Sequence, residues 1–337
     1  MKILVYTPLF FPSVGGLENM MRWLAEDFAR AGEEVKVVCQ TTNREAEPFD
    51  FEVIRSPKGS RLLALTRWSD VFFQGCVSLK GLWPLALAPR TKFAVTHQTW
   101  YVPPGAKPSL AGRVKQIATR RAAVSVSCSG AIAKHLNAPS VVVPNCYDDS
   151  LFHGMPGIER SRDFVFVGRL VSDKGADLVL DAARMLSEKG HRPTVTIVGS
   201  GPEEESLKAR AREWNLGNVE FAGVKRGADL AALLNGHRVM VVPSRWPEPF
   251  GIVALEGIAC GCALITSEGG GLPEAAGPCG LLFPNGSAGE LADRMRSLLE
   301  NPALVEKLRA ESATHLPQFR RNAISARYLE LLRAAVA

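Results

Sequence analysis

No stretch of this 337-residue chain reaches 18 consecutive apolar residues, which excludes a membrane-spanning helix from the expected elements. Cysteine is sparse and poorly placed for structural use. There are seven, an odd number with none in C-x-x-C spacing, so neither a disulfide framework nor a thiolate zinc site is expected, and a reducing cytoplasm is the expected location. The six histidines lie in unrelated settings, so no metal constellation is expected either. The opening "MKILVYTPLFFPSVGG" lacks a small-residue cleavage signal, and its apolar patch is broken by Pro8 and Pro12; it reads as a first strand rather than a leader. Low-complexity tracts and short repeats are missing. Acid is missing from one long region: between Val53 and Tyr147 thirteen Lys and Arg face Asp70 alone, a net +12, while the rest of the chain carries −6. A surface so one-sided points to an anionic partner: nucleic acid, a membrane face or an anionic substrate. No nucleic-acid motif accompanies the charge, so nucleic acid is not expected.

What is present is a soluble composition, 46% hydrophobic and 22% charged, and a length suited to two domains. Strand-then-helix alternation runs through the chain twice. "KILVYTPLF" leads into the amphipathic "LENMMRWLAEDFARAG", then "EVKVVCQ", with "FAVTHQ", "AAVSVSCS" and "SVVVPN" as further short buried strands. Around "PNCYDDSLFHGMPGIERSR" Pro, Gly and charge cluster, and a linker is expected there. The alternation restarts with "DFVFVG", "TVTIVG", "NVEFAG", "VMVVPS" and "ALITS" as strands, and the chain ends in an amphipathic helix, "AISARYLELLRAAVA". The expected fold class is α/β: two Rossmann-like, doubly wound domains facing each other across a cleft, with ligands beyond the carboxyl ends of the strands.

Several strand ends carry chemistry. Arg169 follows a strand and Lys174 stands just before Gly175 and a helix, so two cations converge beside a positive helix end, an arrangement suited to a diphosphate or equally to a solvated loop. Gly15 and Gly16 precede a helix where bare N–H groups can approach a phosphate. "IVGSGPEEE", which includes Gly199, does not complete a dinucleotide fingerprint, because Glu204 takes the place of the third glycine. Glu248 lies at the entry to a helix, where a cap is the simplest role. Glu256 sits in an apolar run; a carboxylate there needs donors, either the hydroxyls of a ribose or a buried salt bridge. His97 ends a buried strand toward the expected cleft, a place where a histidine is often only structural. Trp68, Trp83, Trp100 and Tyr101 stand among the thirteen cations and suit either core packing or stacking on a sugar. "LAGRVKQIATRRAAV" reads as a basic helix able to rest on anionic headgroups.

The order of Gly15-Gly16, "HQTWY", "VPNCYD", "VGRLVSDKG", "IVGSGP", "EPFGIVALE" and "GGGLPE" resembles the retaining GT-B glycosyltransferases of family 4, with Glu248 and Glu256 matching that family's E-x7-E element. The resemblance implies an N-terminal acceptor-side domain over 1–148, a nucleotide-sugar-binding domain over 149–317, and a helix over 318–337 crossing back to the first. It implies that Arg169 and Lys174 hold the donor diphosphate, Glu256 the ribose, and Glu248 the transferred sugar with the N–H groups of Phe250 and Gly251, beside Ile252. Gly16 would face the distal phosphate, His97 would sit by the sugar ring near the acceptor, and the loop around Gly223 and Val224 would cradle the base, with Gly15 and Gly199 also on the donor side; Trp100 and Tyr101, from their own place in the basic half, are the expected acceptor-side residues. Cys146 and Tyr147 depart from the Gly and small apolar residue common in the family, and "DVFFQG" lacks its usual His.

A leaving diphosphate needs positive charge. No D-x-D occurs to hold a metal, so none is expected, and Arg169 and Lys174 would serve instead. The expected activity is transfer of a hexose-type sugar, from a UDP-sugar by preference, to a saccharide or lipid-linked saccharide. It would take place in the cytoplasm, with peripheral contact at the inner membrane face. Same-face and double displacement both remain open. A GT-B epimerase or hydrolase, and an idle nucleotide-sugar-binding partner, remain as alternatives.

Overall fold

A computed structural model describes residues 1–13, 15–42, 49–107, 109–136 and 138–337. The chain forms two compact units, Met1–Cys146 with Arg321–Ala337, and Tyr147–Arg320. The crossings thus fall at Cys146/Tyr147 and Arg320/Arg321, against 148 and 317 read from the sequence.

The first unit is a seven-stranded parallel sheet of β1 (Lys2–Thr7), β2 (Glu34–Cys39), β3 (Glu52–Arg55), β4 (Val71–Gly75), β5 (Lys92–His97), β6 (Val124–Ser127) and β7 (Val141–Val142), in the order β3-β2-β1-β4-β5-β6-β7. β1 and β4 are buried almost throughout, as parallel strands covered on both faces must be. "SVVVPN" differs from its expected buried strand: only Val141–Val142 pairs, at the sheet edge, with both side chains exposed. The helix Gly16–Arg30 buries Met20, Met21, Trp23, Leu24 and Phe28, a stripe at helical spacing, against the sheet. The closing helix Arg321–Val336 buries Ile324, Tyr328 and Leu332 on the same core, and the Tyr328 hydroxyl is 2.8 Å from Thr96 Oγ1.

The second unit is a six-stranded parallel sheet of β8 (Arg162–Val167), β9 (Val195–Val198), β10 (Val219–Gly223), β11 (His237–Val242), β12 (Ala263–Ser267) and β13 (Gly280–Phe283), in the order β10-β9-β8-β11-β12-β13. Its core takes Leu178, Val179, Ala182, Ala183 and Leu186 from the helix Ala176–Glu188 and Leu291, Met295 and Leu298 from Ala288–Glu300.

The expected linker does contain the crossing between the units, at Cys146/Tyr147, but beyond that point it is not open chain. Residues from Tyr147 onward are packed onto the second unit: Phe152 is buried, Asn235 exchanges hydrogen bonds with the backbone of His153 and Met155, and Arg160 donates to the carbonyls of His237 and Cys260. Polar, Gly-rich composition looked like a linker because its anchors are carbonyls and an amide supplied from Asn235, His237 and Cys260, far along the chain.

Candidate functional site

In each sheet the chain runs outward from one strand and then returns to its other side. The reversal leaves a crevice at the carboxyl ends of the two strands involved. In the second unit these are β8 and β11. After β8 the chain passes Arg169, makes a 3-10 turn at Ser172–Lys174, turns at Gly175 and enters the helix Ala176–Glu188. Gly175 has φ +73°, and a Cβ on it would lie 2.2 Å from the carbonyl oxygen of Pro243, so this turn packs directly on the segment that leaves β11. No other residue type permits both the left-handed backbone and that approach.

The two segments meet in one constellation. Lys174 Nζ lies 2.5 Å from Glu248 Oε1, and Ser244 Oγ donates to the same oxygen at 2.8 Å. Ser244 is itself held by Asn285, whose Nδ2 donates to the Ser244 carbonyl at 3.1 Å. Glu248 is not a helix cap: the helix begins at Ile252 after Gly251, and no side chain caps it. Instead the Glu248 backbone pairs with Gly270, and its carbonyl accepts from Gly271 N–H at 2.7 Å. Arg169 is exposed, and among the described residues its guanidinium has neither an ion pair nor a hydrogen bond. A cation without a counter-ion and a second one on a carboxylate therefore flank the turn after β8.

Glu256 stands on the helix Ile252–Ala259. Burial first, and the negative charge of Asp148 second, push its pKa up to about 7. Among the described residues no cation or donor reaches its carboxylate and no contact joins it to the Lys174–Glu248 pair. The buried salt bridge considered from the sequence is thus not formed.

Gly199 and Gly223 are brought together, but for a structural reason: Gly199 N–H donates to the Gly223 carbonyl at 2.8 Å, and a Cβ on Gly199 would meet the Gly168 carbonyl oxygen at 1.8 Å. That N–H is therefore spent inside the sheet end. Val224, beside them, is exposed, Phe250 is buried with its ring 5.9 Å from Phe319, and Ile252 is partly buried.

In the first unit Gly15 precedes the helix Gly16–Arg30, and a Cβ on Gly15 would meet the Glu18 carboxylate at 2.5 Å. The chain's own acid thus lies at the positive end of that helix. His97 corrects the expectation of a ring open to ligand: it has no exposed surface, Nδ1 lies 2.7 Å from Tyr101 Oη and Nε2 3.0 Å from Ser125 Oγ. Burial pushes its pKa down to about 4. Tyr101 is corrected likewise. Its ring lies in the core and its hydroxyl also accepts from Val77 N–H at 2.8 Å, so no aromatic face is left for a sugar. Trp100 packs edge-on against His135 with ring centres 5.1 Å apart, and Trp68 stacks under Lys36. Ser244, Asp148 and Glu18 were not singled out from the sequence. Ser244 had a signal, a hydroxyl one helical turn's length before Glu248, whereas Asp148 and Glu18 had none beyond their charge. Among the described residues no cluster of three or more His, Cys, Asp or Glu is arranged to hold a metal ion, and no helix is long and apolar enough to cross a membrane.

Residues 153–315 match the family of glycosyl transferases group 1. The glycogen synthase of Mycobacterium tuberculosis is 36% identical over 154 residues, which is 45% of this chain and 37% of that protein. The chain spans well under half the length of the curated relatives it matches at this level. A GDP-mannose-dependent monoacylated alpha-(1-6)-phosphatidylinositol monomannoside mannosyltransferase of Corynebacterium glutamicum is 25% identical over 94% of this chain and 93% of its own. Among solved structures, Anabaena HepE in complex with UDP aligns with a TM-score of 0.85 at 20% identity, over 99% of this chain and 100% of that one. The chain accordingly has the GT-B fold of two parallel-sheet Rossmann-like units, and its second unit matches the glycosyl transferases group 1 family.

Proposed function

We propose that this protein is a retaining, metal-independent glycosyltransferase that moves a hexose-type sugar from a nucleotide-sugar to a saccharide or lipid-linked saccharide. The observation that carries the reading is the Lys174–Glu248–Ser244 constellation beside the uncompensated Arg169, at the strand-order reversal of the unit that matches the group 1 family. In this reading Arg169 and Lys174 take the donor diphosphate, where fixed positive charge counts most as the bond to the sugar breaks. Glu256, which has no partner among the described residues, accepts hydrogen bonds from the ribose hydroxyls. Glu248 orients the transferred sugar, flanked by the backbone N–H groups of Phe250 and Gly251. The sugar's anomeric carbon parts from the phosphate oxygen, which keeps the bonding electrons. The acceptor oxygen bonds to the same face, and its proton passes to the departing phosphate. His97, neutral and enclosed, takes no part in that proton transfer; it positions the end of β5 through Tyr101 and Ser125.

UDP is the favoured base carrier, in keeping with the UDP and UDP-glucose complexes of Anabaena HepE. The C. glutamicum relative, named for GDP-mannose and a lipid-linked acceptor, supports the acceptor class and makes GDP the rival carrier. The reading places the protein in the cytoplasm, at the inner membrane face. Incubation with a panel of UDP- and GDP-sugars, with and without membrane extract and EDTA, tests it. Acceptor-dependent transfer that survives EDTA is expected. Sugar release or rearrangement without acceptor would replace it by a hydrolase or epimerase, and binding without turnover by a non-catalytic partner.

A further inference from the structure

The helix Leu110–Thr119 is turned inside out. Its buried positions are Gly112, Gln116 and Thr119, while Leu110 is 80%, Val114 41% and Ile117 59% exposed. The cause is local: a Cβ at Gly112 would meet the Tyr101 carbonyl oxygen at 2.9 Å, so only the small and polar side of the helix fits against the unit. Leu110, Val114 and Ile117 are spaced by four and three residues and share one outward face. Across from it, the segment Leu79–Leu87 leaves Trp83 43% and Leu87 53% exposed. The two walls enclose an open groove of about 490 Å3, lined by Leu82, Leu85, Val114 and Ile117 and bordered by Lys92 and Arg121. Leu82 and Leu85 from one segment and Val114 and Ile117 from another thus share one apolar groove, which marks an interaction face rather than scattered exposure, with Leu87, Leu110 and Trp83 exposed on the same two segments.

We propose that this face docks on an anionic lipid bilayer, with Leu110, Ile117, Leu87 and Trp83 entering the headgroup boundary. Charge decides the occupant. Lys92 and Arg121 are exposed at the groove, Lys80, Arg90 and Arg113 are exposed on or next to the two segments that form it, and none of the five forms an ion pair among the described residues. From Val53 to Tyr147 the chain offers Asp70 as its single acid. An apolar strip with a tryptophan and a rim of Lys and Arg is the pattern of a helix lying in the plane of a membrane surface. Each cation held near anionic headgroups adds attraction that salt removes. The inference deepens the membrane-face placement in the proposed function, but its observations come from the first unit alone, so failure to bind vesicles would leave the transfer assay unaffected.

Co-sedimentation with lipid vesicles tests it. The full chain is expected to pellet with phosphatidylcholine vesicles containing about one third phosphatidylglycerol and not with pure phosphatidylcholine, and binding is expected to fall as salt rises. Leu110→Glu combined with Ile117→Glu, both at exposed positions, is expected to weaken vesicle binding by about tenfold or more. Arg113→Glu combined with Arg121→Glu should weaken it comparably while the melting temperature stays that of the wild type. Quenching of tryptophan emission by brominated lipid should fall in Trp83→Phe. Failure of the wild type to bind anionic vesicles at low salt overturns the proposal, as does unchanged binding by the folded Leu110/Ile117 variant. A dimer in sedimentation velocity that the same variant dissolves also overturns it, assigning the face to a second copy.

Discussion

Lys174 Nζ rests 2.5 Å from Glu248 Oε1, on the oxygen that also accepts from Ser244 Oγ at 2.8 Å. The cation assigned to the diphosphate is therefore neutralised, without ligand, by the acid assigned to the sugar. In the proposed reading a diphosphate would have to compete with that carboxylate for Lys174, and success would free Glu248 for the sugar, so that donor binding and sugar orientation would be one exchange of partners.

Glu248→Gln removes the competitor and keeps the shape. UDP binding, measured by calorimetry, is expected to tighten by about three- to tenfold, the modest value of a partly exposed ion pair. Transfer is expected to fall by about a hundredfold or more through loss of an oriented charge in the site. Lys174→Ala should weaken UDP binding and slow transfer together. UDP binding to Glu248→Gln that is weaker than in the wild type would show that the two residues cooperate on the ligand rather than compete.

Glu256, with its pKa raised from 4.5 to about 7, supplies a pH signature. In the folded state it holds a proton that the unfolded chain has already released, so between about pH 4.5 and 7 the folded state binds more protons and its stability falls as pH rises. The full penalty, on the order of 3 kcal/mol, is present above pH 7. Glu256→Gln is expected to raise the melting temperature at pH 8 and to leave it nearly unchanged at pH 4.5, in paired thermal melts. If the ribose hydroxyls are the missing donors, the variant also loses UDP affinity despite its greater stability, and a variant that is stabilised and binds UDP as before removes Glu256 from the site.

His97 works in the opposite sense. Burial lowers its pKa to about 4, so the unfolded chain binds the extra proton between about pH 6.5 and 4, and stability present above pH 6.5 is lost as pH falls through that range. Tyr101→Phe deletes the hydroxyl that serves both His97 Nδ1 and Val77 N–H, and leaves two buried polar groups unsatisfied. A loss of about 1–3 kcal/mol in denaturant melts is expected. Were Tyr101 instead an acceptor platform, its change to Phe would keep stability and alter only the acceptor KM.

The alternation of strands and amphipathic helices was legible because parallel strands buried on both faces read as apolar runs, as in "DFVFVG" and "ALITS". β3, β4 and β13 were not read: β3 and β13 have four residues each, are only partly buried and lie at sheet edges, so neither offers a run or an alternation, while β4, a buried central strand, is a run of only five residues, Val71–Gly75, that ends in the polar Gln74 and Gly75. Arg169, Lys174 and Glu248 could be found because punctuation at strand ends is local in sequence. The Lys174–Glu248 contact spans 74 residues and depends on which strands lie adjacent, which no local pattern encodes. The enclosure of His97 and Tyr101 was hidden for the same reason, since Ser125 and Val77 reach them from neighbouring strands and loops.

Arg321 shows how the closing helix is held to the first unit. Its Nε lies 2.9 Å from Asp27 Oδ2, its Nη2 is 2.7 Å from Asp27 Oδ1 and 2.7 Å from Glu26 Oε2, and Ser325 Oγ donates to Asp27 at 2.6 Å. The fork engages both carboxylates on the helix Gly16–Arg30, at the start of the segment that carries Tyr328 into the core. Lysine offers a point charge in place of a two-pronged donor, so Arg321→Lys keeps the attraction and loses the geometry. Arg321→Ala leaves Asp27 to Arg30 and Ser325, and Glu26 to Arg22, so neither acid is stripped of every partner but the link between the two helices is lost. It is expected to cost about 1–2 kcal/mol, and the lysine variant about half as much, in denaturant unfolding. Because the Tyr328–Thr96 bond lies downstream on the same helix, native-state hydrogen exchange should rise across Ile324–Leu332 in Arg321→Ala before it rises in β1. Protection of Ile324–Leu332 equal to the wild type would mean that apolar burial alone seats the helix.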